Sequence, residues 1–180
     1  MQIYTKGGDD GTTGLFLGGR ASKADDVLEA CGDIDEAVSV LGVARSLADD
    51  ALGGEILLLQ RDLFVAAADL ATNPRHRDRL EPGTSRVTGD MVRRLEHLID
   101  DEVARRPLRP VFIVPGSSPV SAALDHARTV VRRAERRVVR LRDEDGTVSQ
   151  EVLSYLNRLS DLIFVLARAT AEGDEPPSHD

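Results

Sequence analysis

The sequence predicts an all-α protein, a bundle of five helices forming one domain over residues 1–180. Two observations carry this expectation. Aromatic residues are scarce and Trp is absent, while Ala, Leu, Val, Arg, Asp and Glu dominate, a composition suited to helices packed through small and branched aliphatic side chains. Apolar residues also recur in alternating steps of three and four, with only short connections between the periodic stretches.

The periodicity assigns each helix in turn. A first helix is expected from about Ser22 to Asp49, with Cys31, Ile34, Val38 and Leu41 as its buried edge and Asp33, Asp35 and Glu36 as an acidic patch. Asp35 falls between Ile34 and Val38, close to the apolar edge. Gly53-Gly54 is expected to break the chain before a second helix, Glu55 to Thr72, whose apolar runs predict a central place in the bundle. Asn73 to Ser85 reads as a surface loop.

A third helix, Thr88 to Arg105, carries Met91, Leu95, Leu98 and Ile99 on one face and is stopped by Pro107. Pro110 to Gly116 is apolar and bracketed by prolines, so it reads as a buried linker lacking a strand to pair with. Ser118 and Pro119 are the N-cap and first residue of a fourth helix, ended by Gly146. Its seam is Val120, Leu124, Ala127, Val131, Ala134, Val138 and Leu141. The last helix runs from Ser149 to Ala171 through Val152, Leu156, Leu159, Ile163 and Leu166, with Asn157 and Asp161 on a polar face. Residues 172–180 read as a disordered acidic tail.

Charge and cysteine content exclude several classes of function. The net charge of −8 speaks against a general nucleic-acid binder or a protein of anionic membrane surfaces. The single cysteine, Cys31, cannot form an internal disulfide, and the four histidines show no zinc-ligand spacing, so no residue is assigned to a metal. Met1 to Asp10 is no signal peptide, and no apolar run approaches the roughly 20 residues of a membrane span. A soluble cytoplasmic protein is expected.

Two stretches carry chemistry. Arg128, Arg132 and Arg136 recur every fourth residue, forming a stripe beside the seam of the fourth helix. A solvated basic face is the ordinary reading of such a run. Residues 1–21 form a Gly- and Thr-rich leader in which Gly7, Gly8, Gly11 and Gly14 can expose backbone N–H groups to phosphate, beside Lys6, Thr12 and Thr13. It is not a Walker A loop, and alone it reads as a flexible polar terminus.

Five blocks in order then resemble one family. They are Ile3-Tyr4-Thr5-Lys6-x-Gly8-Asp9-x-Gly11-x-Thr13, Glu29-Ala30-x-Gly32-x-x-Asp35-Glu36, Phe112-x-x-Pro115-Gly116, Ala127-Arg128-Thr129-x-x-Arg132-Arg133-Ala134-Glu135-Arg136, and Tyr155 to Asp161. Together they resemble the PduO-type ATP:cob(I)alamin adenosyltransferases from Gln2 to Ala169. The resemblance implies a ferritin-like, cobalamin adenosyltransferase-like bundle assembling as a homotrimer. Its ATP and corrinoid sites would lie at subunit interfaces, where the 5′-deoxyadenosyl group of ATP passes to cob(I)alamin and triphosphate leaves. A trimeric module that holds nucleotide and adenosylcobalamin for delivery, with little turnover, is the alternative.

Carried over by position, Thr5, Lys6, Gly7, Gly8, Thr13 and Lys23 form one side of the implied ATP site. Arg132, Glu135, Arg136 and Asn157 form the other, with Arg132 on the triphosphate. Asp35 and Arg128 match a carboxylate–guanidinium pair between neighbouring subunits, and Phe112 matches an aromatic that packs on the corrin and keeps an axial ligand off cobalt. Mg²⁺ is implied on the triphosphate, and a reductase and an adenosylcobalamin-dependent acceptor enzyme are implied as partners. The chain departs from the family pattern at Gly7, Cys31 and Ser117, where many relatives have Thr, Tyr and Gly.

Overall fold

The computed structural model describes residues 3–145 and 148–179. Five α-helices follow a small hairpin: β1 (Thr12–Gly14), β2 (Arg20–Ser22), α1 (Asp26–Leu47), α2 (Asp50–Leu70), α3 (Gly89–Arg105), α4 (Pro119–Asp145) and α5 (Gln150–Ala169). The five helices follow the sequence expectation, but the protein is not purely α-helical. β1 and β2 pair antiparallel, Thr12 opposite Ser22, Thr13 opposite Ala21 and Gly14 opposite Arg20. Gly18 and Gly19 hold φ values of 95° and 93° in the connection, a left-handed backbone that glycine enters without steric cost. The hairpin docks on the end of α2, where the Phe16 amide donates to the Ala71 carbonyl at 2.9 Å and Asn73 N–H returns a bond to Phe16 at 3.1 Å.

Pairing of Ser22 in β2 explains why α1 starts at Asp26 and not at Ser22. Gly53-Gly54 does not break the chain. The Asp49 carboxylate caps the Leu52 amide at 2.9 Å and launches α2 straight through both glycines. Each glycine costs about 1 kcal/mol in a helix interior, a penalty of the size that one good cap and apolar packing offset. The Asn73–Ser85 loop contains a 3₁₀ turn, Pro74–Arg79, tied down by Arg77 to the fully buried carboxylate of Asp69. Asp69 also accepts from the Val87 amide at 3.0 Å.

α4 is the middle of the bundle, packed between α1 and α5, while α5 also carries α3. The expectation that α2 is central fails because its apolar residues point two ways. Ile56, Leu59 and Leu63 face the core, but Leu58 and Phe64 are exposed on this chain. On α1 the buried edge is Ala30, Ile34, Ala37, Leu41 and Ala44, with Cys31 and Val38 only half-buried. Alanines there, and Ala127 and Ala134 on α4, are small enough to let two helix backbones approach. The α4 seam and the α5 seam are buried as expected, apart from half-buried Val120.

The fourth helix starts as the sequence predicts, with the Ser118 hydroxyl accepting from the Ser121 amide at 3.1 Å and Pro119 in the first turn. Gly146, expected to end it, lies outside the described residues. The stretch before α4 is not a buried linker: Val111, Phe112 and Val114 are all exposed. It does find a strand-like partner. Residues 172–179, expected to be a disordered tail, run antiparallel beside it through an isolated bridge between Ile113 and Pro177.

Candidate functional site

A repeat of four on a helix advances by about 40° per step, so Arg128 and Arg132 emerge beside the α4 seam on the side where α5 packs. They open onto a groove of about 450 Å³ between α4, α5 and α3. Arg158 and Asp161 from α5 and Glu96 and Asp100 from α3 give it charged edges, while Leu108, Ile99, Val103 and Phe164 form an apolar wall. The Arg128 guanidinium sits 6.0 Å from the Phe164 ring centre, with its Nε 3.4 Å from the Asp125 carboxylate. Arg132 is exposed, and among the described residues it forms no ion pair. A free, forked cation at the mouth of a groove suits a multiply charged oxyanion.

Glu135 and Asn157, which the resemblance puts on one side of a nucleotide, lie within hydrogen-bond reach of each other. The Asn157 amide nitrogen donates to Glu135 Oε1 at 3.0 Å, and its oxygen accepts from Arg158 at 2.6 Å. Arg158 in turn reaches Glu96 at 3.0 Å, so the amide is oriented from both ends. Arg136 does not join this groove. It donates to the Arg132 carbonyl at 3.0 Å and lies with Arg133, Arg137 and Arg140 around the helix.

The leader residues form a second centre. Lys23 Nζ donates to the Gly8 carbonyl at 2.8 Å, and the Thr5 hydroxyl accepts from the Gly7 amide at 3.4 Å. Lys6 holds a left-handed backbone, φ 59°, which costs a residue with a β-carbon energy and must be held by its surroundings. Thr13 lies in β1. Arg20, which sequence reasoning missed, ties the loop together: it donates to Thr12 Oγ1 at 2.8 Å and to the Gly7 carbonyl, and pairs with Asp10 at 3.3 Å. The Thr12 amide and hydroxyl, and then Arg20, hold the Asp10 carboxyl below its ordinary range. No periodicity signals Arg20, because its role depends on the hairpin pairing. The cavity under this hairpin, about 440 Å³, is lined by Leu15, Arg20, Leu70 and Leu141 and shares no residue with the arginine groove.

Asp35 is exposed, and among the described residues it has no ion-pair partner; the buried acid of α1 is its neighbour Asp33. Asp33 pairs with Arg133 at 3.1 Å and Arg137 at 2.7 Å, flanked by Glu36 on Arg133 and Glu29 on Arg137. Sequence reading missed this α1–α4 ladder. Its signal was there: acids at positions 29, 33 and 36 match arginines at 133 and 137 in helical spacing. Phe112 is 86% exposed, on the segment beside the Leu108 end of the groove.

The fold and these centres define a helical-bundle protein with an arginine-edged groove beside an apolar surface. The chain belongs to the cobalamin adenosyltransferase family, whose sequence profile matches residues 3–170. It is 43% identical over 181 residues to a corrinoid adenosyltransferase of Mycobacterium tuberculosis, covering 96% of this chain and 91% of that protein. A corrinoid adenosyltransferase of Bacillus subtilis is 40% identical over 173 residues, covering 93% and 86%. Among solved structures, a variant of the PduO-type ATP:corrinoid adenosyltransferase from Lactobacillus reuteri complexed with cobalamin and ATP superposes with a TM-score of 0.87. It is 32% identical and covers 99% of this chain and 97% of that one.

Proposed function

We propose that the protein transfers the 5′-deoxyadenosyl group of ATP to cob(I)alamin. The cobalt electron pair attacks C5′, a Co–C bond forms, the C5′–O bond breaks and triphosphate leaves with the electrons. The observation that carries this reading is the groove in which Arg128 and Arg132 stand opposite the Leu108–Phe164 wall, in a chain of this family. Cob(I)alamin is itself the nucleophile, so the protein need only align C5′ with cobalt and stabilise the departing charge. Arg132 meets the triphosphate, and the Glu135–Asn157 pair orients the nucleotide beside it.

The leader supplies the other side of the nucleotide site, through Thr5, Lys6, Gly7, Gly8, Thr13 and Lys23. Within one chain none of these residues lines the arginine groove, which supports a site completed between neighbouring copies of a trimer. Asp35, exposed and unpaired within its own chain among the described residues, is then available to Arg128 of the next copy. Arg136, turned away from the groove, reaches the nucleotide only in such an assembly.

Exposed Phe112 offers an apolar face to the corrin. Displacing water from cobalt there would ease its reduction, because an axial ligand raises the orbital to be filled. Among the described residues no group of three or more acidic, His or Cys side chains could hold a metal. Mg²⁺ on the triphosphate would be held largely by ATP oxygens and water. A reductase supplies the electron and a cofactor-dependent enzyme takes the product, both in the cytoplasm. Among the described residues no helix is long and apolar enough to cross a membrane.

The test is direct: protein, ATP, Mg²⁺ and chemically reduced cobalamin are mixed and the absorbance of the Co–C product is followed. Product at the protein-free rate would overturn the reading. Mixed-mass measurement of Asp35→Ala tests the assembly, which is expected to weaken with activity.

A further inference from the structure

We propose that the C-terminal tail is a strap that positions the Phe112 segment and the apolar wall of the arginine groove, with Glu175 as its latch. This rests on the adenosyltransferase reading for its kinetic consequence, though its structural basis is independent. Glu175 is buried in a segment that is otherwise exposed from Glu172 to His179. A tail with no anchoring task does not bury a carboxylate, since desolvating it without a partner is strongly unfavourable. Its partner is Arg168 near the end of α5, at 3.3 Å.

Arg168 is itself buried and engaged on its other side by buried Asp125 of α4. Asp125 also accepts from Arg128, and both arginines lie over the Phe164 ring, at 5.3 Å for Arg168 and 6.0 Å for Arg128. Glu175, Arg168, Asp125 and Arg128 thus form an alternating chain of charges from the tail to the groove.

The tail is also bonded to the segment before α4. The Val114 amide donates to the Pro176 carbonyl at 2.9 Å, and the Ser178 amide donates to the Phe112 carbonyl at 2.8 Å. Arg109 donates to the Glu175 carbonyl at 2.9 Å. A small crevice under the tail is lined by Glu175, Arg168, Leu108 and Phe164, and the last two also line the groove. The latch therefore braces the far side of the wall that the ligand meets. Phe112, 86% exposed, has little core packing to hold it, so its backbone depends on these two bonds. Asp125, Arg168 and Glu175 are positioning residues in this scheme.

The test uses Glu175→Gln, which keeps the shape and removes the charge, with Glu172→Gln as a control at an exposed acid of the same tail that forms no ion pair among the described residues. Amide hydrogen exchange and separate KM values for ATP and cobalamin are measured for both and for the unaltered protein. Glu175→Gln is expected to speed exchange at Val114 and Ser178 by about tenfold or more. It should also raise the cobalamin KM about five- to tenfold, leaving the ATP KM within about twofold. Glu172→Gln should change neither. Unchanged exchange at Val114, an unchanged cobalamin KM, or equal rises in both KM values would each overturn the strap. No turnover by the unaltered protein would overturn the adenosyltransferase reading instead, while the exchange result would still decide the strap.

Discussion

Asn157 on α5 donates its side-chain amide to Glu135 on α4 at 3.0 Å, across the helix pair that edges the arginine groove. Its oxygen is held by Arg158, so only an amide satisfies both neighbours. Asn157→Asp sets a second carboxylate against Glu135. Loss of a hydrogen bond to a charged group is worth about 1.5–3 kcal/mol, so kcat/KM for ATP should fall by about 10- to 100-fold at pH 8. Crowded carboxylates raise one pKa, and activity should partly recover towards pH 6 as that group protonates. A pH profile parallel to that of the unaltered protein would contradict this.

Arg132 is exposed and makes no ion pair among the described residues, so its loss should cost little stability. Arg132→Ala should lower kcat by about 10²- to 10³-fold, the usual effect of removing one donor from a developing anion. Far-UV circular dichroism and mass should stay the same. Normal turnover would remove Arg132 from the triphosphate site.

At Gly7 a β-carbon would meet only Thr5 Oγ1, at 3.5 Å, an ordinary contact. Gly7→Thr therefore restricts the free leader without straining the ordered one. Replacing a glycine at a compatible position is worth about 0.4–1 kcal/mol, so the ATP KM should drop about two- to fivefold. A higher KM would show that the leader needs glycine there when nucleotide binds.

Asp33 braces α1 to α4 through Arg133 and Arg137. Asp33→Asn should destabilise the fold by about 1–3 kcal/mol, towards the lower end because both arginines can still reach Glu36 and Glu29. Denaturant unfolding measures this, with cobalamin and ATP KM values expected to hold.

Burial pushes the Cys31 thiol up to about 11. At pH 8 only roughly one molecule in a thousand carries the reactive thiolate, so iodoacetamide should label the native protein more than tenfold slower than the unfolded chain. The folded state keeps a proton that the unfolded chain releases near pH 9, so this group's contribution to stability is full below that pH and lost as pH rises towards 11. Fast native labelling at pH 8 would mean that α1 opens locally.

The sequence alone determined the five helices, the seams of α4 and α5, and the arginine stripe, each written in local chemistry: a three-four apolar period, a serine–proline helix start, and a repeat of four. Glu135 and Asn157 became candidates only through the resemblance to a family. Tertiary structure decided the rest. Gly53-Gly54 reads as a break but lies within a helix, because the Asp49 cap and packing outweigh a local cost of about 1 kcal/mol per glycine. The same spacing that put Asp35 beside the apolar edge could not show that its neighbour Asp33 would be buried against Arg133 and Arg137. Arg20 and Glu175 gain their partners only when distant segments meet, one across a hairpin and one across the 106–114 segment and the end of α5. Periodicity reports which face of an element is buried; it carries no record of which element covers that face.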